Sequence, residues 1–202
     1  DFRDPKIWKE DGDFYSVVAS RSKDGSGQIL MFKSENLKTW ELVTILDKSE
    51  NKLGRMWECP DFFNIDGKNV LVISPQEVRA TKDGFHNGNN TAFLIGEYDK
   101  ENKKFNREKT KVIDFGLDFY APQTFEDKDG RRIMIGWMQS WENRIIPNEF
   151  KWCGMMTIPR EIRIKDNNVI QTPIKEIENY YGDTVKYEKI TFKQSMLIGL
   201  SQ

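Results

Sequence analysis

Cys59-Pro60-Asp61-Phe62-Phe63 is followed closely by Asp66-Gly67 and then by the apolar run Val70-Leu71-Val72-Ile73. Asp-Gly between two apolar runs of strand length is a strong β-hairpin signal, because both residues tolerate the positive φ of a type I′ turn. The same order, with proline second and an aromatic residue fifth, begins twice more, at Asp4-Pro5-Lys6-Ile7-Trp8 and at Ala121-Pro122-Gln123-Thr124-Phe125. The chain therefore contains a repeated β unit.

The repeat has the length and strand content of a propeller blade. Its prolines lie 55 and 62 residues apart, and the first unit adds apolar segments at 28–32 and 40–45 after its hairpin. Each unit is therefore predicted to hold about four antiparallel strands, and a repeat of ~50 residues with four strands is typical of one β-propeller blade. The predicted fold class is all-β, with a β-sandwich whose turns coincide by chance as the alternative.

Charge and composition exclude two classes of partner. Lys plus Arg total 31 against 32 for Asp plus Glu, which gives a net charge of -1. No large field of one sign therefore points to nucleic acid or to an anionic membrane. Hydrophobic residues make up 38% of the chain, enough for a core, and no apolar run approaches the ~18 residues of a membrane-spanning helix. We expect neither a nucleic acid nor a membrane partner, and the oligomeric state is open.

Cysteine and histidine are too scarce to carry the chemistry. Cys59 and Cys153 are too few for a disulfide framework, and neither has the close Cys or His partner of a zinc site. His86, the single histidine, lies in a polar stretch that is typical of a surface loop. Catalysis built on a Ser-His or Cys-His pair is therefore disfavoured.

Polar or unusual residues stand at the starts of the three units, where packing alone would favour apolar ones. The starts of equivalent strands in a propeller converge on the central channel, where pockets form. Hydrolysis of a glycosidic bond usually takes two carboxyl groups. Asp4 and Glu58 are the carboxylates at these starts, and Tyr120 holds the matching position in the third unit.

Several segments resemble those of glycoside hydrolase family 32. Arg3-Asp4-Pro5 is similar to the Arg-Asp-Pro motif of this family, and Trp57-Glu58-Cys59-Pro60 to its Glu-Cys-Pro motif. Further similar segments, in the order and spacing of the family, are Phe119-Tyr120-Ala121-Pro122-Gln123, Gly136-Trp137-Met138-Gln139-Ser140-Trp141 and Met156-Thr157-Ile158-Pro159-Arg160-Glu161. The resemblance covers roughly residues 1 to 178.

The resemblance implies a five-bladed β-propeller followed by a β-sandwich. Residues 1–178 would form about three blades, the last three, and residues 179–202 a linker and the start of the C-terminal sandwich. The chain begins with Asp1 rather than methionine. We therefore expect two blades to precede it.

The resemblance also implies roles for the residues at the unit starts. Glu58 would be the general acid and base, a role that needs a carboxyl protonated when the leaving oxygen departs and able to activate water afterwards. Asp4 would stabilise the transition state by accepting hydrogen bonds from fructosyl hydroxyls. The opposing interpretation makes Arg3 and Asp4 a surface ion pair and Glu58 a solvated strand residue.

Candidate substrate-binding residues surround these carboxylates. Trp141 follows the second strand of the third unit and could stack on a sugar face, whereas Asp118 is a candidate ligand of sugar hydroxyls on resemblance alone. The whole predicted set is Arg3, Asp4, Cys59, Asp118, Tyr120 and Trp141. No metal and no organic cofactor is implied.

One part of the family pattern is missing. Family 32 places its nucleophilic aspartate in an Asn-Asp-Pro-Asn type of motif, and no such stretch occurs in these 202 residues. Asp4-Pro5 is the sole Asp-Pro. A retaining mechanism needs two carboxyl groups about 5 Å apart across the sugar, so we expect the chain by itself to be inactive, as a segment of a longer protein or a truncated product.

The implied activity is hydrolysis of terminal β-D-fructofuranosides with net retention, on sucrose, sucrose 6-phosphate or fructan. Residues 74–76 and 115–125 look most like bacterial intracellular sucrose-6-phosphate hydrolases, which predicts a cytoplasmic location. Two alternatives remain open: an arabinanase-type glycosidase with the same architecture, and a non-catalytic carbohydrate-binding propeller or inactive fragment.

Overall fold

The computed structural model describes residues 1–116, 118–142, 148–184 and 188. Within these ranges the chain forms twelve β-strands and one short 3₁₀ helix, Lys175–Tyr180. The strands are β1 (Phe2–Glu10), β2 (Asp13–Arg21), β3 (Gly27–Ser34), β4 (Glu41–Lys48), β5 (Met56–Ile65), β6 (Lys68–Gln76), β7 (Ala92–Asp99), β8 (Lys104–Val112), β9 (Tyr120–Glu126), β10 (Arg132–Trp137), β11 (Arg160–Lys165) and β12 (Asn168–Pro173). The predicted all-β class is confirmed.

Each repeat unit is one four-stranded antiparallel sheet. The first sheet has the order β1-β2-β3-β4, the second β5-β6-β7-β8 and the third β9-β10-β11-β12, so every strand pairs with its neighbour in the chain. This up-and-down order within separate sheets is typical of propeller blades. The repeat found in the sequence therefore corresponds to real structural units.

Asp-Gly turns join the first two strands in the first and second sheets. Asp11 and Gly12 have φ values of 50° and 92°, and Asp66 and Gly67 have 49° and 79°. Positive φ at both central residues is the type I′ geometry that the sequence predicted. The third hairpin differs, because its connection from Glu126 to Arg132 is longer and is organised by the side chain of Asp127, which accepts hydrogen bonds from the backbone N–H groups of Asp129 and Arg131.

The residue before each repeat proline adopts a backbone conformation that is rare for side chains larger than glycine. Asp4, Cys59 and Ala121 have φ values of 57°, 47° and 50°. The strand registers shift at these places, between Arg3 and Lys6 and between Glu58 and Asp61. Such bulges bend a strand and redirect its side chains, and each left-handed residue stores about 1–3 kcal/mol of strain.

The second sheet lies between the other two. One core cluster joins it to the first sheet and centres on Trp57, Leu71 and Ile73, against Val17 and Met31. The cluster on its opposite face includes Val72 and Phe93, against Met134 and Ile162 of the third sheet. Alternate side chains of one strand thus enter different clusters, because successive strand residues point to opposite faces.

The predicted boundary between residues 178 and 179 falls within the 3₁₀ helix. Arg131 ties this helix to the third sheet, with Nη2 at 2.7 Å from Oε1 of Glu176. Of the predicted linker and sandwich start at 179–202, residues 185–187 and 189–202 lie outside the described residues, so the sandwich stays a prediction. In the part of the chain that the structure describes, no helix has the length and apolar character needed to cross a membrane.

Candidate active site

Glu58 is a buried carboxylate that receives hydrogen bonds from three other strands. It lies on β5 and is 8% exposed. Arg3 on β1 donates from Nη1 to its Oε1 at 2.8 Å, and Gln76 on β6 donates from Nε2 to its Oε2 at 2.9 Å. The hydroxyl of Tyr120 on β9 donates to the same Oε2 at 2.7 Å. All three sheets therefore meet at one carboxylate.

Asp4 is held next to this carboxylate by the backbone of the second sheet. The N–H of Cys59 donates to Oδ2 of Asp4 at 3.0 Å, and the Cys59 thiol lies 3.6 Å from the same oxygen. Arg3 pairs with Glu58 and, at 3.0 Å, with Asp1. The interpretation of Arg3 and Asp4 as a surface pair beside a solvated Glu58 is therefore wrong.

Tyr120 acts as a hydrogen-bond donor in this cluster. Burial, followed by the hydrogen bond to Glu58, raises the pKa of its hydroxyl far above the usual value. The phenol therefore stays protonated at any physiological pH and keeps one oxygen of Glu58 supplied with a donor. Its position at the start of β9 follows from the repeat, because it occupies the place that Glu58 occupies on β5.

The thiol of Cys59 is kept neutral by its surroundings. Burial contributes most, and the carboxylates of Asp4 and Glu58 add to it, raising the pKa of Cys59 to about 12. Only the thiolate is a good nucleophile, so Cys59 is not equipped to attack a substrate. It serves here as a small apolar neighbour of Glu58 whose backbone N–H fixes Asp4.

This raised pKa predicts unequal reactivity of the two cysteines. We expect iodoacetamide at pH 8 to modify the exposed Cys153 at least tenfold faster than Cys59, because Cys59 is partly buried and almost wholly protonated. Peptide mass spectrometry over a time course measures both rates in one sample. Unfolding in urea is the control and should bring the two rates together; equal rates in the native protein would contradict the assigned environment.

A second polar cluster links the three first strands just beyond the prolines. Lys6, Asp61 and Gln123 each follow the proline of their unit. Nζ of Lys6 donates to the Thr124 carbonyl oxygen at 2.7 Å and to Oε1 of Gln123 at 3.2 Å, and it lies 3.5 Å from Oδ2 of Asp61. That same Asp61 oxygen accepts from the N–H and hydroxyl of Thr124, at 2.9 and 2.7 Å. The cluster holds the three strand starts in fixed relation.

Asp118 and Trp141 lie on the third-sheet side and are linked through Ser140, the residue before Trp141. Asp118 is buried, and its Oδ2 accepts a hydrogen bond from the Ser140 hydroxyl at 3.1 Å. Trp141 is 55% exposed and meets Trp137 edge to face, with ring centroids 5.5 Å apart. The exposed indole of Trp141 has a flat apolar face of the kind that can stack on a sugar ring.

A protein-family comparison identifies the source of these motifs. The model described as the glycosyl hydrolases family 32 N-terminal domain matches residues 1–173. The chain belongs to glycoside hydrolase family 32. The resemblance seen in the separate motifs is confirmed, and it extends over all twelve strands.

Curated relatives in family 32 have names that agree with this assignment. The sucrose-6-phosphate hydrolase of Zymomonas mobilis is 40% identical over 189 residues, covering 88% of this chain and 36% of the relative. That of Vibrio alginolyticus is 37% identical over 197 residues, covering 96% and 40%. The chain thus spans about two fifths of the length of these relatives.

Solved family 32 structures share the fold. The β-fructofuranosidase of Bombyx mori superposes with a TM-score of 0.85 at 37% identity, covering 92% of this chain and 40% of that one. A variant of the same enzyme was solved in complex with sucrose. The sucrose-6-phosphate hydrolase of Lactobacillus gasseri superposes with a TM-score of 0.76 at 28% identity, covering 88% and 37%.

The structure brings most of the predicted family 32 site residues together. One contact network contains Glu58, Asp4, Arg3, Cys59 and Tyr120. Asp118 and Trp141 make separate contacts on the third-sheet side, with Ser140 and Trp137 respectively. Their catalytic and binding roles stay predictions. The described residues contain no group of three or more His, Cys, Asp or Glu side chains able to hold a metal ion.

Sequence reasoning missed Gln76 and the cluster of Lys6, Asp61 and Gln123. Gln76 belongs to a segment that resembles the family, yet nothing in that segment alone indicated that its amide reaches Glu58. The other three share a visible signal, since each is the polar residue directly after the repeat proline. A polar side chain at an equivalent position in every unit indicates convergence on one axis.

Proposed function

We propose that the protein containing this chain hydrolyses terminal β-D-fructofuranosides, with sucrose 6-phosphate or sucrose as substrate and with net retention. The main observation in support is the buried Glu58 carboxylate, which accepts hydrogen bonds from side chains on three other strands. Asp4 is fixed next to it by the N–H of Cys59. Two further findings support it: membership of family 32 and the names of the relatives, which are sucrose-6-phosphate hydrolases and invertases.

In this proposal Glu58 gives its proton to the glycosidic oxygen. The bond between that oxygen and the anomeric carbon breaks, its electron pair stays on the oxygen, and the sugar or sugar phosphate departs as a neutral hydroxyl. Glu58, now a carboxylate, then removes a proton from the water that completes hydrolysis. Its burial keeps bulk water from competing for the same proton.

Asp4 stabilises the positive charge that develops on the fructosyl ring. The Cys59 N–H fixes the carboxylate, so little reorganisation accompanies the reaction, which is the property that makes preorganised charges effective. Hydrogen bonds from fructosyl hydroxyls to this carboxylate strengthen as the ring becomes cationic. Arg3, which bridges Asp1 and Glu58, holds the acid in place. Trp141 and Asp118, in the segments that flank β10 and β9, contact the sugar from the third-sheet side.

The covalent partner belongs to another part of the protein in this proposal. Retention requires a second carboxyl group about 5 Å from the acid across the sugar. Asp4 is committed to the Cys59 backbone, and the sequence has no Asn-Asp-Pro-Asn type of stretch. We therefore assign the nucleophile to residues beyond these 202 and expect the chain alone to show no turnover.

The free face of the first sheet supports the presence of further blades. Ile7, Leu42 and Ile45, together with Phe2, are between 48% and 64% exposed. A sheet face this apolar normally packs against another sheet. We propose that the three sheets are the last three blades of a five-bladed propeller, whose remaining blades cover this face, and that a β-sandwich follows.

Sucrose 6-phosphate is the preferred substrate in this proposal. Segments 74–76 and 115–125 resemble sucrose-6-phosphate hydrolases, and the relatives from Zymomonas mobilis, Vibrio alginolyticus and Staphylococcus xylosus have that name. A phosphorylated disaccharide carries a charge that does not cross a membrane freely, so a cytoplasmic location belongs to the same proposal.

Fructose release by the protein expressed from its complete gene tests the activity. We expect fructose release from sucrose 6-phosphate and sucrose, no release of arabinose from arabinan, and initial formation of β-fructofuranose in a proton NMR time course. The purified 202-residue chain is assayed in parallel and should release nothing. Arabinan cleavage would replace the proposal by the arabinanase alternative, and sugar binding without hydrolysis by the complete protein would replace it by the binding-module alternative.

A further inference from the structure

The two oxygens of the Glu58 carboxyl have unequal surroundings. Oε2 accepts two hydrogen bonds, from Gln76 at 2.9 Å and from Tyr120 at 2.7 Å. Oε1 accepts one, from Arg3 at 2.8 Å. Each carboxylate oxygen has two lone pairs in the plane of the group. Among the described residues, both lone pairs of Oε2 are therefore used, whereas one lone pair of Oε1 has no donor.

This difference decides which oxygen can carry a proton at low cost. A proton on Oε2 would face two donors, so either the amide of Gln76 or the hydroxyl of Tyr120 would have to turn and become an acceptor. A proton on the open lone pair of Oε1 requires no such change, because Arg3 keeps its own position on the other lone pair. The hydrogen-bond pattern thus favours Oε1.

We propose that Gln76 is a positioning residue which, with Tyr120, keeps Oε2 of Glu58 an acceptor and leaves Oε1 as the proton-donating oxygen. The proposal rests on the fructosidase function proposed above. In the step concerned, the Oε1–H bond breaks and the proton moves to the glycosidic oxygen, which receives the electron pair of the breaking C–O bond. The anomeric carbon is captured by a carboxylate of the complete protein. Gln76 itself contacts Glu58 and exchanges no proton.

The backbone that carries Gln76 is fixed from two sides. Its carbonyl oxygen accepts a hydrogen bond from the N–H of Arg55 at 2.9 Å, and the carbonyl of the preceding Pro75 accepts one from the N–H of Asn90 at 3.0 Å. Gly54 has a φ of 70°, and a Cβ there would collide with the Gln76 carbonyl oxygen. The backbone position from which the Gln76 side chain extends, at the end of β6, is therefore well defined.

Loss of the Gln76 donor should weaken the acid step and little else. Without the Gln76 donor, one lone pair of Oε2 becomes available for the proton, because Tyr120 occupies only the other. A smaller fraction of the protonated acid then carries its proton on Oε1. A hydrogen bond to a charged group contributes about one order of magnitude to such a balance. The hydrolysis rate of a substrate whose leaving group needs no proton should change little.

The experiment compares two substrates of the complete protein that differ in whether the leaving group must be protonated. Sucrose requires protonation of its leaving oxygen, whereas β-D-fructofuranosyl fluoride loses fluoride without it. The variant Gln76→Leu removes the donor, and Gln76→Glu replaces it isosterically with a side chain that accepts. Gln171→Leu is the matched control, because Gln171 is likewise half-buried and donates to the Ile113 carbonyl oxygen at 2.7 Å on the far strand of the third sheet.

We expect both Gln76 variants to lose roughly tenfold in kcat/KM on sucrose and less than about twofold on the fluoride, with the Gln76→Glu loss deepening as pH rises. Gln171→Leu should match the unmodified protein on both substrates. Equal losses on the two substrates, or none on sucrose, would overturn the role of Gln76. If the unmodified protein hydrolysed neither substrate, the fructosidase function itself would fail, a result that is distinct from either.

Discussion

Replacement of Glu58 by glutamine should lower fructose release from sucrose by the complete protein about 10²- to 10⁴-fold, the range that a general acid contributes. Glutamine has nearly the same shape but cannot give up a proton to the glycosidic oxygen. Its amide also meets a conflict, because one end must face the donor Arg3 and the other the donors Gln76 and Tyr120. Wherever the new amide nitrogen is placed, at least one of these contacts brings two hydrogen-bond donors together.

The measurement is the initial rate of fructose formation, with thermal unfolding recorded on the same preparations. Glu97→Gln is the matched control, since Glu97 lies on β7 of the same sheet but is exposed and pairs only with Lys68 among the described ion pairs. The control should retain full activity. A Glu58→Gln rate equal to that of the unmodified protein would remove Glu58 from its role as the acid.

The repeat units could be predicted because their signal is local. Asp-Gly turns and apolar runs lie next to each other in the chain, and the structure confirms the turns at Gly12 and Gly67 with positive φ. The last two strands of the third sheet, β11 and β12, were not predicted individually. In β11 charged residues alternate with isoleucines, and a long connection separates it from β10, so no hairpin signal marks it.

The convergence of Asp4, Glu58 and Tyr120 could be predicted for a similar reason, since all three lie at the starts of equivalent strands, Asp4 directly before its repeat proline and Glu58 and Tyr120 one residue earlier. Gln76 could not. It lies on the same face of its sheet as Glu58 only because the bulge at Cys59 and Pro60 shifts the strand register by one residue, pairing Glu58 with Ser74 and Met56 with Gln76. A bulge that uses a non-glycine residue with positive φ leaves no clear trace in a single sequence.

The same bulges explain why acidic and thiol side chains occupy strained positions. Asp4 and Cys59 contact each other through the backbone N–H of Cys59, which the bulge frees from the pairing of β5 with β6. In a regular strand the pairing register alone would decide whether this N–H bonds to β6 or points away from it, and no N–H would be directed at Asp4 for that purpose. The strain at each bulge is therefore coupled to the fixed position of Asp4.

Replacement of Asp61 by alanine should destabilise the protein more than most single substitutions, by about 2–4 kcal/mol in the free energy of unfolding. Asp61 is 1% exposed. The change leaves the Thr124 N–H without its acceptor inside the protein and deprives the Lys6 ammonium of its carboxylate. Because this cluster joins β1, β5 and β9, the loss also loosens the strand starts that carry Asp4 and Glu58.

Chemical denaturation of the complete protein measures the effect, and Asp13→Ala is the control. Asp13 also pairs with one lysine, Lys33, at 2.7 Å, but both side chains are partly exposed, and surface pairs of this kind contribute little. A double-mutant cycle with Lys6→Met measures the coupling between Lys6 and Asp61, which includes their ion pair and the part carried through Thr124, whose carbonyl oxygen accepts from Lys6 and whose N–H donates to Asp61. If Asp61→Ala unfolded at the same denaturant concentration as Asp13→Ala, the cluster would have no part in holding the three sheets together, and the placement of Asp4 beside Glu58 would have to depend on the bulges and the apolar core alone.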